Sequence, residues 1–538
     1  MGGADFDRAA MLARLEREEF DVLVVGGGVT GAGVALDAAA RGLRTALVER
    51  DDFAAGTSSK SSKLVHGGLR YLKDDPRLVR EALRERERLR RNAPHLVGVM
   101  PFMIPVLTKD GVVSRTVARA LGSAMWMYDI GGGWRIGKLH RRLRKKATLA
   151  HFPTMPSARV AAGYLYYDAA ADDARLVLTL ARTAAAHGAA VANRCDVVGL
   201  QHEDGEVRSA TVRADGREFA VRARVVVNAT GVWADGLREM DEGTDPDMIR
   251  PAKGVHLTVP WAKVRNDIAV VVPVPKDKRS LFLVPWGPLP DGTFRHAYIG
   301  TTDTDYDGPL EDPQCTAEDV EYILRAVNAS ITEPITAADV TGVWAGLRPL
   351  VKGGGSGRTA DLSRRHLVQT SDHGVVTVTG GKLTTYREMA ADAVDAALGL
   401  LGRAAKCTTA RLRLLGAEGY KPAPAGTPQG HLGGRYGTLA TEVQALVAAD
   451  PSLGEPLVPG LPYLRAEAVY AVRHEMALTL DDVLSRRTRA RLQDRAATVA
   501  AAPAVAALIA PELGWDDTEL AAQVTGFVVA CIAEEVRP

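Results

Sequence analysis

Residues 24–50, VVGGGVTGAGVALDAAARGLRTALVER, decide the fold of this chain. The apolar run at 22–25 predicts a buried strand, and the small residues that follow the glycines predict a helix. Gly26, Gly28 and Gly31 satisfy the pattern G-x-G-x-x-G. The first glycine permits a tight turn, the second admits a pyrophosphate close to the backbone, and the third lets helix and strand pack closely. The stretch therefore predicts the opening strand, turn and helix of a dinucleotide-binding domain.

A second predicted strand supports the same class of ligand. Residues 45–48 end at Glu49, which lies at the distance expected for a carboxylate that accepts a hydrogen bond from a ribose hydroxyl. The start of the helix would offer free N–H groups to the pyrophosphate. A glycine-rich turn without a ligand is the alternative, and the acid makes it the weaker one. Because Glu49 would repel a 2′-phosphate, the sequence predicts an unphosphorylated adenosine half.

The next motif, GTSSKSSKLVHGGLRYL at 56–72, supplies hydroxyl and cationic groups in the loop where such a fold opens its cleft. Two further glycine turns, at 229–231 and 380–382, lie far along the chain. A reduced flavin carries negative charge at its N1/O2 edge, which a helix N-terminus or a cation stabilises. The later turn would offer both. On spacing alone, a flavin site and a glycine turn with a solvated lysine are equally supported.

Composition bounds the class of protein. A chain of 538 residues predicts two or three domains. Its 67 basic and 65 acidic residues give a net charge of +2, which predicts no nucleic-acid partner. The four cysteines are scattered without a CxxC pair, which suits a reducing cytoplasm and predicts neither a disulfide framework nor a zinc site. We therefore expect no metal.

Targeting signals are also absent from the sequence pattern. The N-terminus is charged and lacks the apolar centre of a signal peptide. The longest uncharged stretch, 496–511, is alanine-rich and contains Pro503, and we expect it to be too short and too weakly apolar to cross a bilayer. These features predict a cytoplasmic protein and leave attachment to a membrane surface open.

The order of predicted elements gives an α/β and α+β architecture. A Rossmann-type cofactor domain is interleaved with a largely antiparallel β substrate domain, and a helical domain follows. The predicted segments are 20–75, 155–235 and 370–400 for the cofactor domain, 76–154 and 236–369 for the substrate or cap domain, 415–437 for a linker, and 438–538 for the helical domain.

Two charged segments carry predictions of their own. Residues 78–91 predict an exposed helix with Glu–Arg pairs three and four residues apart. Residues 135–146, RIGKLHRRLRKK, place apolar side chains at helical spacing within a basic run. This segment is either a surface helix that touches anionic lipid or a solvated helix face over a modest apolar stripe. The second alternative is favoured about two to one.

Several polar residues are candidates for binding an anionic substrate. Arginine presents a planar fork that suits phosphate or carboxylate, and a neutral imidazole suits proton transfer near pH 7. The candidates are His66, Arg70, Tyr71, Lys253, His256, Asp303, Arg348 and Arg364. Each of them taken alone is more often structural than catalytic, and their spacing does not show that they converge.

Taken together, the motifs resemble those of the FAD-dependent glycerol-3-phosphate dehydrogenases, within the glycine/D-amino-acid oxidase-like flavoprotein superfamily. The resemblance is carried, in order along the chain, by VVGGGVTGAG, GTSSKSSKLVHGGLRYL, DDARLVL, VVNATGVWAD, KGVHLTVP, IGTTDTDY, GLRPL and GGKLTTYREMA. It extends over residues 20–400, and EMALTLDDVLSRRTR at 475–489 resembles the family's C-terminal domain. SSKLVHGGLRYL and GGKLTTYR are specific to this family rather than to flavoproteins at large.

The resemblance implies that FAD takes a hydride from sn-glycerol 3-phosphate, gives dihydroxyacetone phosphate, and passes electrons to a membrane quinone. It implies cofactor contacts at Gly26, Gly28, Gly31, Glu49, Ser59, Ser61, Ser62, Lys63, Gly231, Gly381, Lys382 and Leu383. It implies substrate contacts at Arg70, Tyr71, His256, Arg348 and, as a weaker match, Arg364.

The same resemblance suggests catalytic roles and a location. We expect His256 to accept the proton of the C2 hydroxyl, Arg348 and Arg70 to bind the phosphate or the developing alkoxide, and Lys382 to stabilise anionic reduced flavin. Quinone-linked members sit on the inner leaflet of the cell membrane, which brings the lipid-contact alternative for 135–146 to parity. We also expect a homodimer.

Three other functions stay open at this point. The enzyme could be an oxidase that reduces dioxygen to peroxide, because oxygen reactivity depends on access to the flavin. Amine or amino-acid oxidation on the same fold is weakened by the arginines suited to phosphate. A flavin-binding regulatory protein without turnover is weakened by the presence together of Arg70, His256, Arg348 and Lys382.

Overall fold

The computed structural model describes residues 6–534 except 73–74, 109–114, 245, 276, 278 and 353–364. The side chains of Arg70 and of residues 115–118 lie outside this description.

The strands fall into two large sheets. They are β1 Glu19–Val25, β2 Thr45–Val48, β3 Leu64–Val65, β4 Val97–Leu107, β5 Arg141–Arg144, β6 Val160–Ala171, β7 Ala190–Ala192, β8 Asp196–Glu203, β9 Glu206–Ala214, β10 Arg217–Asn228, β11 Ile249–Pro260, β12 Ala269–Pro273, β13 Ser280–Pro288, β14 Phe294–Gly300, β15 Thr304–Asp305, β16 Gly342–Val351, β17 His366–Thr370 and β18 Val375–Gly380.

The helices cover the sheets and form most of the C-terminal region. They are α1 Arg8–Arg17, α2 Val29–Ala40, α3 Pro76–Asn92, α4 Arg115–Gly131, α5 Lys145–His151, α6 Asp173–Ala186, α7 Ala234–Glu242, α8 Ala317–Asn328, α9 Tyr386–Leu400, α10 Pro428–Tyr436, α11 Ala440–Ala449, α12 Arg465–Glu475, α13 Ala490–Gln493, α14 Arg495–Leu513 and α15 Asp517–Ala533.

The first sheet is the predicted Rossmann-type core. Its strands follow the order β17-β18-β10-β1-β2-β7, and those from β18 to β7 are parallel. β8 and β9 extend β10 as an antiparallel meander with left-handed turns at 204–205 and 215–216, as the Asp-Gly pairs predicted. α2 packs against α6 and α9, and its small residues allow this close approach.

The second sheet has ten strands in the main order β15-β11-β14-β13-β12-β4-β6-β3, with β16 beside β11 and β5 beside β6. Its pairings are antiparallel except that of β12 with β4. This confirms the predicted antiparallel character of the substrate domain. β11 and β16 are buried along most of their length, so polar side chains that they carry lie inside the protein.

The predicted segment boundaries need correction where strands change sheets. β6 was assigned to the first sheet by the boundary at 155, but it pairs with β4 in the second. β3 also belongs to the second sheet, whereas β17 belongs to the first. Apolar runs of this length do not reveal which sheet a strand joins, because both sheets bury such residues.

Two predicted helices differ from expectation. Residues 78–91 do form a helix, α3, but Glu85 and Arg86 are buried rather than exposed. Residues 135–146 do not form one surface helix. They include the end of a 3-10 turn, β5 and the start of α5, because pairing of β5 with β6 overrides the helical spacing.

The C-terminal helices pack as a separate core around α12 and α14. The segment predicted as a linker, 415–437, contains α10 and donates a backbone hydrogen bond from Leu415 to Thr183 Oγ1 over 3.1 Å. α14 is the one described helix long and apolar enough to cross a membrane, contrary to the expectation for 496–511. Its buried residues, including Ala502 and Ile509, belong to the core of the helical domain.

Candidate functional site

The glycine turn after β1 has no room for side chains. Gly26 has φ +108°, and a Cβ there would lie 2.6 Å from the carbonyl oxygen of Ala229. A Cβ at Gly31 would lie 1.8 Å from the carbonyl oxygen of Gly26. These two glycines therefore bring β1, β10 and α2 together, as their spacing predicted.

The N-terminus of α2 opens at Gly28, whose lack of a side chain leaves the backbone accessible. The next N–H, that of Val29, donates to Ser58 Oγ over 2.9 Å. Ser58 lies in the predicted serine-rich loop, but the resemblance implied a cofactor contact at Ser59 and not at Ser58. The loop thus places a hydroxyl where the helix dipole favours an anion.

Glu49 closes the far side of this turn. Its two carboxylate oxygens accept backbone hydrogen bonds from Gly27 over 2.6 Å and from Asp51 over 2.8 Å. Burial raises the pKa of Glu49 to about 7, because the surroundings disfavour the charged form. A ribose hydroxyl that donates to this carboxylate would restore the charged form.

These elements face one cavity of about 910 Å³. Of the predicted cofactor residues, the cavity wall includes Gly26, Gly28, Glu49, Ser59, Gly231, Gly381, Lys382 and Leu383. A Cβ at Gly231 would meet nothing within 4 Å and would therefore project into open space. A cavity of this size, lined by a helix N-terminus, the Glu49 carboxylate and a second glycine turn, fits FAD.

The second glycine turn supports a cation. Gly380 and Gly381 both have positive φ, and a Cβ at Gly381 would lie 2.4 Å from Met389 Sδ. The turn leads into α9 through a 3-10 segment, Leu383–Thr385. Lys382 Nζ lies 4.2 Å from the centroid of the Tyr71 ring, a cation–π contact. This return, with its backbone N–H groups and its ammonium, therefore forms part of the cavity wall.

Three predicted cofactor residues instead make contacts inside the protein. Ser61 Oγ donates to Asp173 over 2.7 Å, and Lys63 Nζ lies 3.5 Å from the same carboxylate. Ser62 Oγ lies 2.8 Å from His256 Nε2. These side chains hold the loop and the histidine in place, and their contact with the cofactor stays a prediction.

His256 is buried in an aromatic layer. Its ring stacks on Trp344 with a centroid distance of 4.7 Å and an interplanar angle of 9°. The pKa of His256 is lowered well below 6.5, first by burial and then by the positive charges of Lys63 and Arg348. The imidazole is therefore neutral at pH 7 and able to accept a proton.

Arg348 lies on the same sheet face as this histidine. β11 pairs with β16 so that His256 is opposite Trp344 and Ala252 is opposite Arg348, and alternate residues share a face. Arg348 Nη1 donates to Asp303 Oδ1 over 3.1 Å, and Nη2 donates to Thr301 Oγ1 over 3.2 Å. A quarter of the Arg348 side chain is exposed, so the guanidinium is oriented yet accessible.

The GGLRY loop is held by a buried ion pair. Arg86 Nη1 donates to Asp168 Oδ1 over 2.6 Å, and Tyr128 Oη donates to the same carboxylate over 2.7 Å. The backbone N–H of Gly67 donates to this carboxylate over 3.2 Å. The group fixes the backbone beside Tyr71, although no local sequence signal marked it.

The structure describes only some of the remaining candidate substrate residues. The backbone of Arg70 lies in the 3-10 turn Leu69–Tyr71, but its side chain lies outside the description. Arg364 also lies outside the described residues. Lys253 pairs with Asp319 over 2.7 Å and is therefore directed to α8.

The helical domain contributes to the cavity as well. Arg486, Arg489 and Arg491 belong to its wall. Arg489 Nη2 donates to Asp173 Oδ1 over 2.9 Å and to the carbonyl oxygen of Ser59. The SRRTR motif at 485–489 shows these clustered arginines in the sequence. Nothing in the sequence showed that their side chains reach the cofactor domain.

Comparison with families assigns both main parts of the chain. Residues 21–387 match the family described as FAD dependent oxidoreductase. Residues 407–520 match the family described as the C-terminal domain of alpha-glycerophosphate oxidase. The second match begins before the predicted boundary at 438 and includes the packed segment around α10.

Individual relatives agree with these matches. Glycerol-3-phosphate dehydrogenase 2 from Mycobacterium tuberculosis is 42% identical over 98% of this chain and 90% of its own length. The human mitochondrial glycerol-3-phosphate dehydrogenase is 37% identical over 95% of this chain and 73% of its own length. The crystal structure of a Bacillus halodurans glycerol-3-phosphate dehydrogenase complexed with FAD has a TM-score of 0.79, 29% identity, and coverage of 100% and 99% of the two chains.

Proposed function

Because this chain belongs to the family of FAD-dependent glycerol-3-phosphate dehydrogenases, we propose that it oxidises sn-glycerol 3-phosphate to dihydroxyacetone phosphate. The observation that carries the proposal is the placement of a neutral, buried histidine and an accessible arginine on one sheet face. Trp344 connects that face to the cavity, because it stacks on His256 and also forms part of the cavity wall.

His256 is the residue that removes the proton. Oxidation of a secondary alcohol breaks the O–H and C–H bonds at C2, and bound FAD accepts the two electrons and the hydrogen from carbon. The neutral imidazole takes the hydroxyl proton. Trp344 and Ser62 fix the ring orientation, so that one nitrogen keeps a defined direction.

Arg348 supplies the matching positive charge. Asp303 and Thr301 hold its guanidinium, and the positive charge, on a side chain that is one-quarter exposed, would attract a phosphate or a developing alkoxide. Lys382 lies in the cavity wall, between the second glycine turn and the 3-10 segment that leads into α9. Its ammonium would oppose negative charge on the reduced cofactor.

An anaerobic titration tests this assignment. The purified protein with FAD is mixed with sn-glycerol 3-phosphate, and the flavin absorbance is followed. Stoichiometric bleaching by this substrate, with no bleaching by glycine or D-alanine, is expected. The amine-oxidase alternative would require the opposite pattern, and a regulatory protein would leave the spectrum unchanged with every substrate.

The electron acceptor is a membrane quinone in this proposal. The support is the family resemblance together with the surface described below. Reduced enzyme should be reoxidised quickly by a soluble quinone analogue and slowly by air. Rapid stoichiometric peroxide without added quinone would instead identify an oxidase.

We also propose peripheral attachment to the inner leaflet through an apolar ridge, formed by Trp126, Met127, Ile130, Trp134 and Leu139. These side chains are between 49% and 72% exposed. Exposed cations, including Lys138 and Arg141, lie beside the ridge in the chain. Tryptophan and basic residues together favour the interface of an anionic bilayer. We therefore propose lipid contact through this ridge and not through a single basic helix at 135–146.

Vesicle sedimentation tests the attachment. Wild-type enzyme should sediment with phosphatidylglycerol-containing vesicles more than with neutral phosphatidylcholine vesicles. The Trp126→Ser/Trp134→Ser variant should lose this binding, whereas Leu400→Ser, which changes an exposed apolar residue on α9, should keep it. Equal sedimentation of all three proteins would refute membrane attachment through the ridge.

The proposed homodimer rests on the resemblance and is tested by light scattering of the full chain.

A further inference from the structure

A second polar cluster lies on the cofactor domain, apart from the residues of the proposed reaction. It contains His202 near the end of β8, Asp241 in the last turn of α7, and His373 in the turn between β17 and β18. One ligand atom from each residue lies within 4.8 Å of the other two. Three segments that are distant in sequence therefore bring two imidazoles and a carboxylate together.

The carboxylate at the centre of the cluster is buried and incompletely satisfied. Asp241 Oδ1 lies 3.1 Å from His202 Nε2 and 3.2 Å from His373 Nδ1. Asp241 Oδ2 is buried and has no hydrogen-bond partner among the described residues. A buried anion without full pairing is costly, so the cluster has capacity for one more positive group.

The spacing of the donors suits a tetrahedral transition metal. Zinc bonds to nitrogen and oxygen are about 2.0–2.1 Å long, which places neighbouring ligands of a tetrahedron about 3.3 Å apart. The two histidine–aspartate distances are close to this value. Both imidazoles are about one-third exposed. His373 Nδ1 lies 2.9 Å from the carbonyl oxygen of Asp241 and would exchange that hydrogen bond for the metal.

The chemistry of the donors selects among metals. Two imidazoles with one carboxylate favour Zn²⁺ over Mg²⁺ or Ca²⁺, which prefer oxygen ligands. We propose that His202, Asp241 and His373 form a Zn²⁺ site with a fourth position open to water. The cysteine spacing gave no sign of it, because no cysteine takes part and the three ligands come from separate elements.

The site would connect three elements of the cofactor domain. The turn that carries His373 already accepts a hydrogen bond from the backbone N–H of Val207 in β9. α7 also contributes Gly236, Leu237 and Met240 to the wall of the cofactor cavity. A metal held by its last turn would fix this helix to the meander and to the β17–β18 turn. Because binding favours the folded state, it would also raise the unfolding temperature.

Metal retention is the primary test. Tag-free FAD-containing protein is dialysed against Zn²⁺ and then against metal-free buffer, and zinc per chain is measured. Wild type should retain one Zn²⁺ per chain, and His202→Ala and His373→Ala should each lose it. His187→Ala, which removes an exposed histidine outside the cluster, is the matched control and should retain it.

Two further measurements separate a specific site from general effects. The FAD absorbance of each variant verifies folding independently of zinc. Added Zn²⁺ should slow hydrogen exchange around residues 202, 241 and 373 and raise the unfolding midpoint in wild type but not in His202→Ala/His373→Ala. Wild type that retains no zinc, or a double variant that retains as much as wild type, would overturn the proposal.

Discussion

At the scale of single residues, burial decides the chemistry more than residue type does. His256 is one of several histidines with a lowered pKa, but it alone among them stacks on a residue of the cavity wall and lies near two cations. Burial also lowers the pKa of Lys63 to about 8 and raises that of Glu49 to about 7. Burial thus shifts the pKa of the proposed proton acceptor His256, of the neighbouring cation Lys63 and of Glu49, the proposed acceptor for a ribose hydroxyl.

Replacement of His256 tests its role as base. The His256→Asn variant should bind substrate but reduce FAD roughly a hundred to ten thousand times more slowly, because proton removal is lost. Anaerobic stopped-flow absorbance measures the rate. His296→Asn changes another buried histidine, on β14, and should stay within a few-fold of wild type. Equal rates for His256→Asn and wild type would exclude the assigned role.

The pH dependence follows from the direction of the histidine shift. A pKa well below 6.5 keeps the folded-state imidazole neutral as pH falls through that value. The rate of FAD reduction should therefore show no inflection between pH 6 and pH 7 that depends on His256. Stopped-flow rates over this interval check the expectation, and a rate that halves near pH 6.5 in wild type would contradict it.

Arg348 should act mainly in substrate binding. Arg348→Ala removes a guanidinium that can pair with phosphate, and loss of a charged hydrogen bond raises KM or Kd roughly ten- to a hundred-fold. Titration of flavin bleaching against substrate concentration gives this constant. Arg325→Ala, on the exposed side of α8, is the control. An unchanged constant in Arg348→Ala would place the phosphate elsewhere.

At the scale of secondary-structure elements, pairing and close approach determine where the site forms. The register of β11 with β16 brings His256 and Trp344 opposite each other, although 88 positions separate them in the numbering. Residues 135–146 place apolar side chains at helical spacing, but β5, which lies within this segment, pairs with β6. Local propensity is thus overridden wherever a neighbouring strand supplies better pairing.

The glycine at the first turn of α2 gives a test at this scale. In Gly31→Ala the added Cβ would lie 1.8 Å from the Gly26 carbonyl oxygen, and such a clash forces backbone shifts that cost about 1–3 kcal/mol or more. FAD content per chain should fall strongly. Gly399→Ala, in α9 with nothing within 4 Å, should keep full FAD content. Wild-type FAD content in Gly31→Ala would contradict the close packing.

At the scale of the whole molecule, the helical domain is joined to the cofactor domain by buried charges. Asp52, three residues after Glu49, pairs with Arg486 over 2.6 Å and with Arg487 over 2.6 Å. The two guanidiniums lower the pKa of Asp52. Since the same helical region contributes Arg489 to the cavity wall, we expect docking of the domain to complete the cofactor site.

Asp52→Asn tests this coupling. The variant leaves the buried Arg487 without its carboxylate partner, whereas Arg486 keeps Asp481 and Asp482. Breaking a buried pair in this way destabilises by about 3–5 kcal/mol. Both the unfolding midpoint and the FAD content should decrease, as measured by thermal scanning and flavin absorbance. Asp215→Asn, an exposed partner of Arg8, should change neither. Independence of FAD content from Asp52 would show that the domain merely packs against the site.

Sequence alone predicted the glycine turn, the acid after β2, the meander turns and the family, because each depends on residues close together in the chain or on motifs of fixed spacing. Residue types and turns also made His256, Arg348 and Lys382 candidates, but their catalytic roles came only from the resemblance. The tertiary structure decided what those residues face: strand register set His256 on Trp344, and burial made it neutral. It also decided that Ser61 and Lys63 support the loop, and that the C-terminal arginines reach the cavity. These outcomes depend on contacts between distant segments, which no local pattern contains.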